Sequence, residues 1–459
     1  MLVRSISGLR ATLGDDLTPA VVTAYTAGFA QFCPEGRIVV GRDGRRGGEA
    51  IEQVVVGTLL AAGRSVERLG VVPTPSVQLA CEAEGRAGGI SITASHNPAE
   101  WNGLKFLGED GLFLGPSEVA DLFTLVDAED FAWSGHSEQG SLVDRTDFAA
   151  DHIAQTLALP LLDRDAIAER SLRIVVDAVN ASGSRIVPQL LEELGCTVIP
   201  LSCDSSGVFP HAPEPIPENL GDLCHAVVQQ KADLGIAVDP DADRLVLIDE
   251  TGHPIGEEYT ITIAADYALA HALSIGDRCP FRRIVAVNLS TTRAVDDVAA
   301  RHDASVVRTP VGEINVVEGL KEAKGMIGGE GSGGVILPAL HYGRDALAGI
   351  ALTLSALAQA GGSLSELRAS MPHYVIVKKK LPLATRADAL PTIERVAAAY
   401  EAEGRIDRAD GLRVDFARPW FHIRASNTEP ILQIIAEAPT AEEAEALVNR
   451  VPGDLGNVG

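Results

Sequence analysis

The sequence has no long apolar run and few basic residues. No stretch of the 459 residues reaches the ~18 apolar positions that a membrane-spanning helix needs, so we expect a soluble protein. Lysine and arginine number 38 against 63 aspartates and glutamates, which gives a formal net charge of −25. This balance argues against nucleic acid and anionic membranes as partners. Residues 1–8 lack the apolar core and cleavage pattern of a secretory signal, which predicts a cytoplasmic location.

Two chemical signatures are also missing. The six cysteines form neither a C-x-x-C pair nor a zinc-binding spacing, so we expect reduced and mostly buried thiols. The G-x-S-x-G motif of serine hydrolases is absent, and no histidine-plus-carboxylate set resembles a hydrolase relay. Acyl transfer by an activated serine is therefore poorly supported.

What the sequence does contain is a pattern that occurs three times. β-branched runs begin at Arg37, Arg173 and Arg283, and each is followed by a turn and an amphipathic helical segment. Further along each unit, a second buried run ends in a loop of unusual composition. Strands that alternate with helices predict βαβ units with mainly parallel sheets, whose ligands lie at the carboxyl ends of the strands. We therefore predict three similar α/β domains, each with one functional loop.

A different pattern begins near residue 370. Strand-like runs at 420–424 and 431–437 lie between two helical segments, which indicates a small α+β domain with an antiparallel sheet. The charge run Lys378–Lys380 is most simply a solvated part of an edge strand. Polar stretches, turns and helix ends then divide the chain into predicted domains at 1–150, 151–252, 253–369 and 370–459.

The first unusual loop is Ser91-Ile-Thr-Ala-Ser-His-Asn-Pro98, which follows a run typical of a buried strand. Because Asn-Pro favours a turn, we expect Ser95 to be exposed and held in place where the strand ends. A structural turn and a catalytic site both remain open. A phosphorylated serine is one form of the second, since phosphate adds about −1.5 to −2 charge and would need a metal and cations nearby.

The second loop, Asp239-Pro-Asp-Ala-Asp-Arg244, is the most specific local signal. Three carboxylates at alternate positions can converge on one hard cation, which prefers oxygen ligands. A calcium loop is the natural rival, because Glu250 stands where its last ligand would be. The rival fails because Arg244 replaces the glycine of its sharp turn, and because Leu245–Asp249 continues as a strand. A catalytic Mg²⁺ is preferred over a structural metal or a plain acidic turn.

Two further loops carry polar groups in mobile or exposed settings. Gly328–Gly334 is glycine-rich, and glycines let a backbone approach a ligand while Glu330 accepts hydrogen bonds from hydroxyls or an amine. Arg424–Pro430 lies between two strands and offers a guanidinium, hydroxyls and an amide, which suits phosphate. In isolation a flexible turn explains the first loop better, and a capped polar turn explains the second equally well.

Together the four loops resemble those of the α-D-phosphohexomutase superfamily, in the same order along the whole chain. T-A-S-H-N-P with Lys105 resembles its phosphoserine loop, D-P-D-A-D-R its metal loop, G-E-G-S-G-G its sugar loop and R-A-S-N-T-E-P its phosphate loop. The resemblance implies three related α/β domains with mixed, mainly parallel sheets and a smaller C-terminal α+β domain around a central cleft. It also implies reversible conversion of a hexose 6-phosphate into its 1-phosphate. One departure is Gly334, where many relatives have histidine, so a ring contact to the sugar is missing or supplied elsewhere.

The resemblance implies a phosphoenzyme and a metal. Phosphorylated Ser95 would donate its phosphoryl group to the sugar and recover one from a sugar 1,6-bisphosphate, which is also the expected activator. One Mg²⁺ per chain would be bound by Asp239, Asp241, Asp243 and a phosphoserine oxygen, as phosphoryl transfer requires charge neutralisation.

Other matching residues receive roles in the same way. Arg10, Lys105 and Arg244 would add positive charge or assist proton transfer, and His96 would either orient the loop or move protons. A hexose phosphate is the implied partner, and the protein is expected to be a monomer or homodimer. Sugar hydroxyls would be bound by Glu330 and Ser332, and the non-reacting phosphate by Arg424, Ser426, Asn427 and Thr428.

The substrate is predicted from Val311-Gly-Glu313, which resembles the V-G-D stretch of phosphoglucosamine mutases. Glu313 or Glu330 could pair with the 2-ammonium of glucosamine 6-phosphate, a charge-assisted contact worth roughly 1.5–3 kcal/mol. Phosphoglucosamine mutase is therefore the expected activity, with phosphomannomutase/phosphoglucomutase as the alternative. A metal-dependent sugar phosphatase and a catalytically silent sugar-phosphate-binding protein are the alternatives of other classes.

Overall fold

The first sheet contains seven strands and positions the loop of Ser95. This computed structural model describes residues 2–272, 280–425 and 430–453. Strands β3, β4 and β5 are parallel, whereas β6 is antiparallel to β5 and β2 is antiparallel to β6, in the order β1-β2-β6-β5-β3-β4-β7. The elements are β1 (Val3–Ser5), β2 (Gly8–Thr12), α1 (Pro19–Phe32), β3 (Arg37–Arg42), α2 (Gly48–Ala61), β4 (Val66–Val71), α3 (Thr74–Cys81), β5 (Arg86–Ile92), β6 (Trp101–Leu107), α4 (Pro116–Ala128) and β7 (Leu142–Asp144).

The second sheet has four strands in the order β11-β10-β8-β9, with β11 antiparallel to β10 and the other pairs parallel. Its unit comprises α5 (Phe148–Leu157), α6 (Arg164–Arg170), β8 (Arg173–Asp177), α7 (Gly183–Glu193), β9 (Thr197–Ser202), α8 (Gly221–Gln229), β10 (Leu234–Val238) and β11 (Leu245–Asp249).

The third sheet repeats this arrangement in the order β13-β12-β14-β15, with only the β14–β15 pair antiparallel. Its unit comprises α9 (Glu258–Ala270), β12 (Arg282–Asn288), α10 (Ala294–Arg301), β13 (Ser305–Thr309), α11 (Glu313–Ala323), β14 (Gly325–Glu330), β15 (Gly334–Ile336), α12 (Ala346–Ala360) and α13 (Leu364–Ser370).

The three sheets confirm the predicted repeat. Each contains three parallel strands and one antiparallel strand in the same spatial order: β4-β3-β5-β6, β9-β8-β10-β11 and β13-β12-β14-β15. The predicted Arg-Ile-Val runs are the central strands β3, β8 and β12, whose apolar side chains pack on both faces of the sheet. Ile38, Val39 and Val40, for example, are fully buried. Continuous β-branched runs of this kind are typical of strands covered by helices on both faces.

Helix ends in these units follow local capping chemistry. Asp345 caps α12 by accepting a hydrogen bond from the Leu347 amide at 2.8 Å. Gly361 ends the same helix at φ 73°, in the left-handed conformation that glycine adopts readily. Both ends of α12 therefore carry residue types that favour those positions.

The C-terminal unit is a five-stranded antiparallel sheet in the order β16-β20-β19-β18-β17. The predicted strands appear as β19 and β20, and the Lys378–Lys380 run lies on the edge strand β16, as predicted. Strands β17 and β18 were not predicted, because they are only three and four residues long. The elements are β16 (Val375–Pro382), α14 (Ala389–Tyr400), β17 (Arg405–Asp407), β18 (Leu412–Asp415), β19 (Trp420–Ala425), β20 (Ile431–Ala438) and α15 (Ala441–Gly453).

The fold class is therefore as predicted, with one sheet in each predicted domain, while the domain boundaries near 150, 252 and 369 stay predictions. Among the described residues, no single helix is long and apolar enough to cross a membrane, and one pair bent by 89°, α12 with α13, passes that test by length and composition. The five described cysteines are free thiols, of which Cys33, Cys81 and Cys196 are buried. Cys279 lies outside the described residues.

Candidate active site

Three of the predicted loops occupy equivalent positions in the fold. Each joins the third parallel strand of a unit to its antiparallel neighbour: β5 to β6, β10 to β11 and β14 to β15. These loops follow the carboxyl ends of parallel strands, where ligands of such sheets bind. Arg244 of the second loop and Gly331 and Ser332 of the third line a cleft of 1230 Å³, to which all four units contribute residues and which is ample for a hexose phosphate.

The loop of Ser95 is held in a strained conformation. Ser95 has φ 48°, in the left-handed region that costs energy for a residue other than glycine. Arg45 supports the loop by donating hydrogen bonds to the Ser95 carbonyl and, at 2.8 Å, to the Trp101 carbonyl. Asp43 holds Arg45 at 2.7 Å, and Thr93 links Asp43 to the Ser95 amide. Strain supported in this way is typical of functional sites.

Ser95 is not exposed, which corrects one expectation. Its residue surface is only 2% exposed, because the metal loop packs against it. The Ser95 hydroxyl donates a 2.9 Å hydrogen bond to Oδ2 of Asp239. The expectation that the serine is held in place is confirmed, and it is held against the predicted metal ligands.

Asp239, Asp241 and Asp243 form a buried cluster. Each offers a carboxylate oxygen within 4.8 Å of the other two. Oδ1 of Asp241 and Oδ1 of Asp243 are buried without a hydrogen-bond partner. Burial and the two neighbouring carboxylates raise the pKa of Asp239 well above its usual value. Unpartnered anionic oxygens packed this closely fit a hard divalent cation such as Mg²⁺.

Lys105 approaches the cluster from β6. Its Nζ lies 2.6 Å from Oδ2 of Asp241 and 3.6 Å from Oδ2 of Asp243. Thr74 donates a second hydrogen bond to the same oxygen of Asp241 at 2.7 Å. Burial opposes the charge of Asp241, but Lys105 and Thr74 outweigh it and lower the pKa of this carboxyl below its usual range. Asp241 is therefore ionised, with its other oxygen left for a cation.

Arg10, His96 and Arg244 lie close to the loop of Ser95. Pairing of β2 with β6 places Arg10 on the neighbouring strand to Lys105, where it donates a hydrogen bond to the Asn97 side chain at 3.1 Å. Nδ1 of His96 lies 3.4 Å from the Ser95 hydroxyl. Burial and the charges of Arg244 and Arg10 lower the pKa of His96 to about 2. The imidazole is therefore neutral.

The sugar loop presents Glu330 to the cleft with three donors already in place. Its Oε1 accepts hydrogen bonds from Asn288 at 2.7 Å and from the Gly312 amide at 3.2 Å. Its Oε2 lies 2.6 Å from Nη1 of Arg344. Ser332 lines the same cleft. Both predicted residues of this loop thus reach the site, together with an arginine that was not predicted.

Arg344 also contacts Glu313 and Asp243. Its Nε lies 3.0 Å from Oε2 of Glu313, and its Nη2 lies 2.6 Å from Oδ2 of Asp243. Burial opposes the charge, yet Asp243, Glu313 and Glu330 raise the pKa of Arg344 well above its usual value. This guanidinium is permanently charged and joins the metal loop to the sugar loop.

The fourth loop is described in part. Arg424 lines the cleft, and its Nε lies 2.8 Å from Oδ2 of Asp410. Lys378 of the edge strand also reaches the cleft and pairs with Glu257 at 2.8 Å. The remaining predicted residues, Ser426, Asn427 and Thr428, lie outside the described residues.

Sequence reasoning missed several residues of the site. Asn288 stands at the carboxyl end of a predicted strand, and Arg45 follows another, so their position in the sheets was a usable signal. Thr74 begins α3, which brings it to the metal loop through the packing of two units. Arg344 lies between β15 and α12, and no motif or periodicity marked it.

Comparison with known proteins agrees with this geometry. Residues 3–133, 150–252 and 257–374 match the family models described as phosphoglucomutase/phosphomannomutase, alpha/beta/alpha domains I, II and III, and residues 376–452 match the C-terminal domain. The chain belongs to the phosphoglucomutase/phosphomannomutase family. It is therefore a phosphohexomutase, an isomerase that acts by phosphoryl transfer.

Relatives in this family carry two names. The chain is 36% identical over 444 residues to the phosphoglucomutase/phosphomannomutase of Thermococcus kodakarensis, covering 95% of this chain and 94% of the relative. It is 34% identical over 445 residues to the probable phosphoglucosamine mutase of Methanopyrus kandleri, covering 96% and 95%. A crystal structure of a phosphoglucomutase/phosphomannomutase family protein from Burkholderia thailandensis matches with a TM-score of 0.86 at 25% identity, over 100% of this chain and 99% of that one.

Proposed function

We propose that this phosphohexomutase interconverts glucosamine 6-phosphate and glucosamine 1-phosphate. The observation that carries the proposal is the charge at the sugar loop. Glu313 and Glu330 both line the cleft, and Arg344 is the cation that they share. Because Arg344 also pairs with Asp243, its single positive charge does not balance both glutamates, and the site can accept a further positive charge. A substrate ammonium supplies that charge, whereas a hydroxyl does not.

Acceptor capacity supports the same substrate. A carboxylate offers about four lone-pair sites, and the described donors occupy three of those on Glu330. Glu313 likewise accepts three hydrogen bonds. Two come from the side chain and the backbone amide of Arg344, and the third, at 3.4 Å, comes from the side-chain amide of Gln78. Each glutamate therefore keeps room for a donor from the substrate. A charge-assisted hydrogen bond here would contribute roughly 1.5–3 kcal/mol.

Ser95 is proposed as the residue that carries the phosphoryl group. A sugar hydroxyl would attack phosphoserine, the bond from Oγ to phosphorus would break, and a sugar 1,6-bisphosphate would form. After the bisphosphate turns around, the phosphoryl group that the sugar originally carried would transfer to Oγ of Ser95, its bond to the sugar oxygen would break, and that oxygen would take up a proton. The attacking hydroxyl loses its proton as the new bond forms; His96 is the candidate to take it, while Lys105 would assist the transfer and stabilise the reacting phosphate through its positive charge.

The remaining residues of the site would bind and neutralise. Bound Mg²⁺, held by the three aspartates and a phosphoserine oxygen, would supply charge neutralisation to the transferring group. Arg10 and Arg244 would contact the reacting phosphate, because both line the cleft and both act electrostatically on His96, the neighbour of Ser95. Glu330 and Ser332 would hold sugar hydroxyls. The non-reacting phosphate would be bound by Arg424, Ser426, Asn427 and Thr428.

Conversion of neutral hexose phosphates is the alternative, because one of the named relatives is a phosphoglucomutase/phosphomannomutase. We also propose a cytoplasmic location and a monomer or homodimer, with a bisphosphorylated sugar as activator.

The test of specificity is kcat/KM for the 6-phosphates of glucosamine, glucose and mannose, measured side by side with catalytic bisphosphate present. We expect glucosamine 6-phosphate to be preferred, with little release of free phosphate. A tenfold preference for either neutral sugar would overturn the assignment.

A further inference from the structure

We propose that Arg344 is a positioning residue that couples the metal loop to the sugar loop, and that position 334 must lack a side chain to allow it. The proposal rests on the phosphohexomutase activity and the metal role of the aspartates, and it does not depend on which hexose phosphate is used.

The contacts of Arg344 span two units of the fold. Nη2 binds Asp243 of the second unit at 2.6 Å, while Nε and Nη1 bind Glu313 and Glu330 of the third unit at 3.0 and 2.6 Å. All three nitrogens of the guanidinium are therefore engaged, each by a different carboxylate. A planar fork fixes the orientation of such partners in a way that a lysine ammonium does not.

At the metal loop, the contact between Arg344 and Asp243 gives the two carboxylate oxygens of Asp243 different roles. Arg344 binds Oδ2, and Oδ1 is the buried oxygen that has no hydrogen-bond partner. By holding one oxygen, the guanidinium sets the direction of the other, which is the oxygen available to a cation. Partners of this kind orient metal ligands, and their removal typically costs about 10–100-fold in metal affinity or activity.

On the sugar side, Gly334 leaves the space that Arg344 occupies. A Cβ at position 334 would lie 2.4 Å from Cδ and 3.1 Å from Cγ of Arg344, and its three nearest atoms all belong to that side chain. The φ of Gly334 is not positive, so the backbone itself tolerates alanine. The absence of a side chain here is thus tied to the arginine, which supplies the contact to Glu330 from the place where a larger residue would stand.

The backbone of Arg344 is itself fixed. Arg344 forms an isolated antiparallel bridge with Ile336, and the next residue, Asp345, accepts hydrogen bonds from the buried rings of His152 and His341. The guanidinium is therefore attached to a rigid support between β15 and α12. A rigid link of this kind lets a change at Asp243 reach Glu330 without a large movement.

Two substitutions test the link between the loops. One keeps the positive charge at position 344, and the other keeps Arg344 itself. Arg344→Lys retains one positive charge but replaces the planar fork of three nitrogens with a single ammonium nitrogen, whereas Gly334→Ala retains Arg344 but displaces its side chain. Matched controls are Arg170→Lys, which removes a two-donor contact to backbone carbonyls away from the cleft, and Gly57→Ala, where an added Cβ meets nothing within 4 Å. The readouts are Mg²⁺ binding by calorimetry and the KM and kcat for glucosamine 6-phosphate and glucose 6-phosphate.

We expect both Arg344→Lys and Gly334→Ala to weaken Mg²⁺ binding about tenfold or more and to raise KM for the preferred sugar phosphate, while the controls do neither. Wild-type Mg²⁺ binding and KM in both variants would overturn the proposal. A change in Mg²⁺ binding without one in KM, or the reverse, would also overturn it, because the two loops would then be independent. Protein that turns over glucose 6-phosphate but not glucosamine 6-phosphate would refute the substrate assignment alone.

Discussion

Replacing Asp241 with asparagine removes one carboxylate of the metal cluster and nearly keeps its shape. Oδ2 of Asp241 accepts hydrogen bonds from Lys105 at 2.6 Å and from Thr74 at 2.7 Å, whereas Oδ1 has no hydrogen-bond partner. Asparagine can still accept one of those bonds, but it offers a cation a neutral oxygen in place of an anionic one. We therefore expect the variant to fold and to lose metal affinity.

Two effects on the stability of the metal-free protein oppose each other. Removing one partner of a buried ion pair typically costs about 3–5 kcal/mol, and Lys105 would lose its nearest carboxylate. Lys105 would keep Asp243, however, and the repulsion that raises the pKa of Asp239 would fall. The net loss without metal should therefore be smaller than about 3 kcal/mol.

The stabilisation that Mg²⁺ gives to the folded protein should differ more clearly between the variant and wild type. Ligand at a hundred times its Kd stabilises a protein by about 2.7 kcal/mol. If the variant binds Mg²⁺ a hundredfold more weakly, the same concentration stabilises it by only about 0.4 kcal/mol. The difference, about 2.3 kcal/mol, is the quantity to measure.

The assay is thermal unfolding in chelator and at increasing Mg²⁺, for wild type, Asp241→Asn and the control Asp249→Asn. Asp249 is a buried aspartate at the end of β11 that does not line the cleft, and its carboxylate accepts hydrogen bonds from Thr251 and His253. We expect the Mg²⁺-dependent rise in unfolding temperature to shrink in Asp241→Asn alone, and excess Mg²⁺ to restore part of its turnover. Equal Mg²⁺ stabilisation in all three proteins, or activity that persists in strong chelator, would refute the metal role.

Three other changes probe the loop of Ser95, the contact of Glu330 with the sugar and a largely buried ion pair. Arg45→Lys keeps a charge but loses the planar donors beneath Ser95, so turnover should fall about tenfold or more; wild-type turnover would show that the strained loop needs no such support. Glu330→Gln should lower kcat/KM for glucosamine 6-phosphate about tenfold or more relative to glucose 6-phosphate, and equal losses would exclude a selective contact with the amine. The hydrogen bond to Asp177 raises the pKa of His211, so its stabilisation is present below about pH 6.5 and is lost as pH rises through the folded pKa. The urea concentration at the unfolding midpoint should therefore fall more, relative to wild type, in His211→Asn at about pH 6 than at about pH 9. An equal decrease at both pH values would contradict this.

Much of the fold could be predicted because its signals are local. Continuous β-branched runs marked the central strands, and loops after the second buried run of each unit marked the carboxyl edges that meet at the cleft. The spacing of Asp239, Asp241 and Asp243 predicted a convergent cluster, and the structure brings their oxygens within 4.8 Å. These features depend on residues that are close in sequence.

The rest depends on contacts between distant segments. Ser95 was expected to be exposed, because nothing near it in sequence shows that the loop of Asp239 covers it. Arg344 lies 101 residues from its partner Asp243 and carries no motif, so only the packing of two units reveals its role. The short strands β17 and β18 are defined mainly by their neighbours in the sheet. Long-range packing, rather than local pattern, determines these parts.

The central claim is that Ser95 carries the phosphoryl group during turnover. The most direct measurement is the mass of the Ser95 peptide after the protein has been incubated with isotopically labelled sugar 1,6-bisphosphate and Mg²⁺. The account predicts that the labelled phosphoryl group appears on Ser95, that added hexose 6-phosphate removes it, and that Ser95→Ala abolishes turnover. An unlabelled Ser95 peptide together with near-normal turnover in Ser95→Ala would contradict the account.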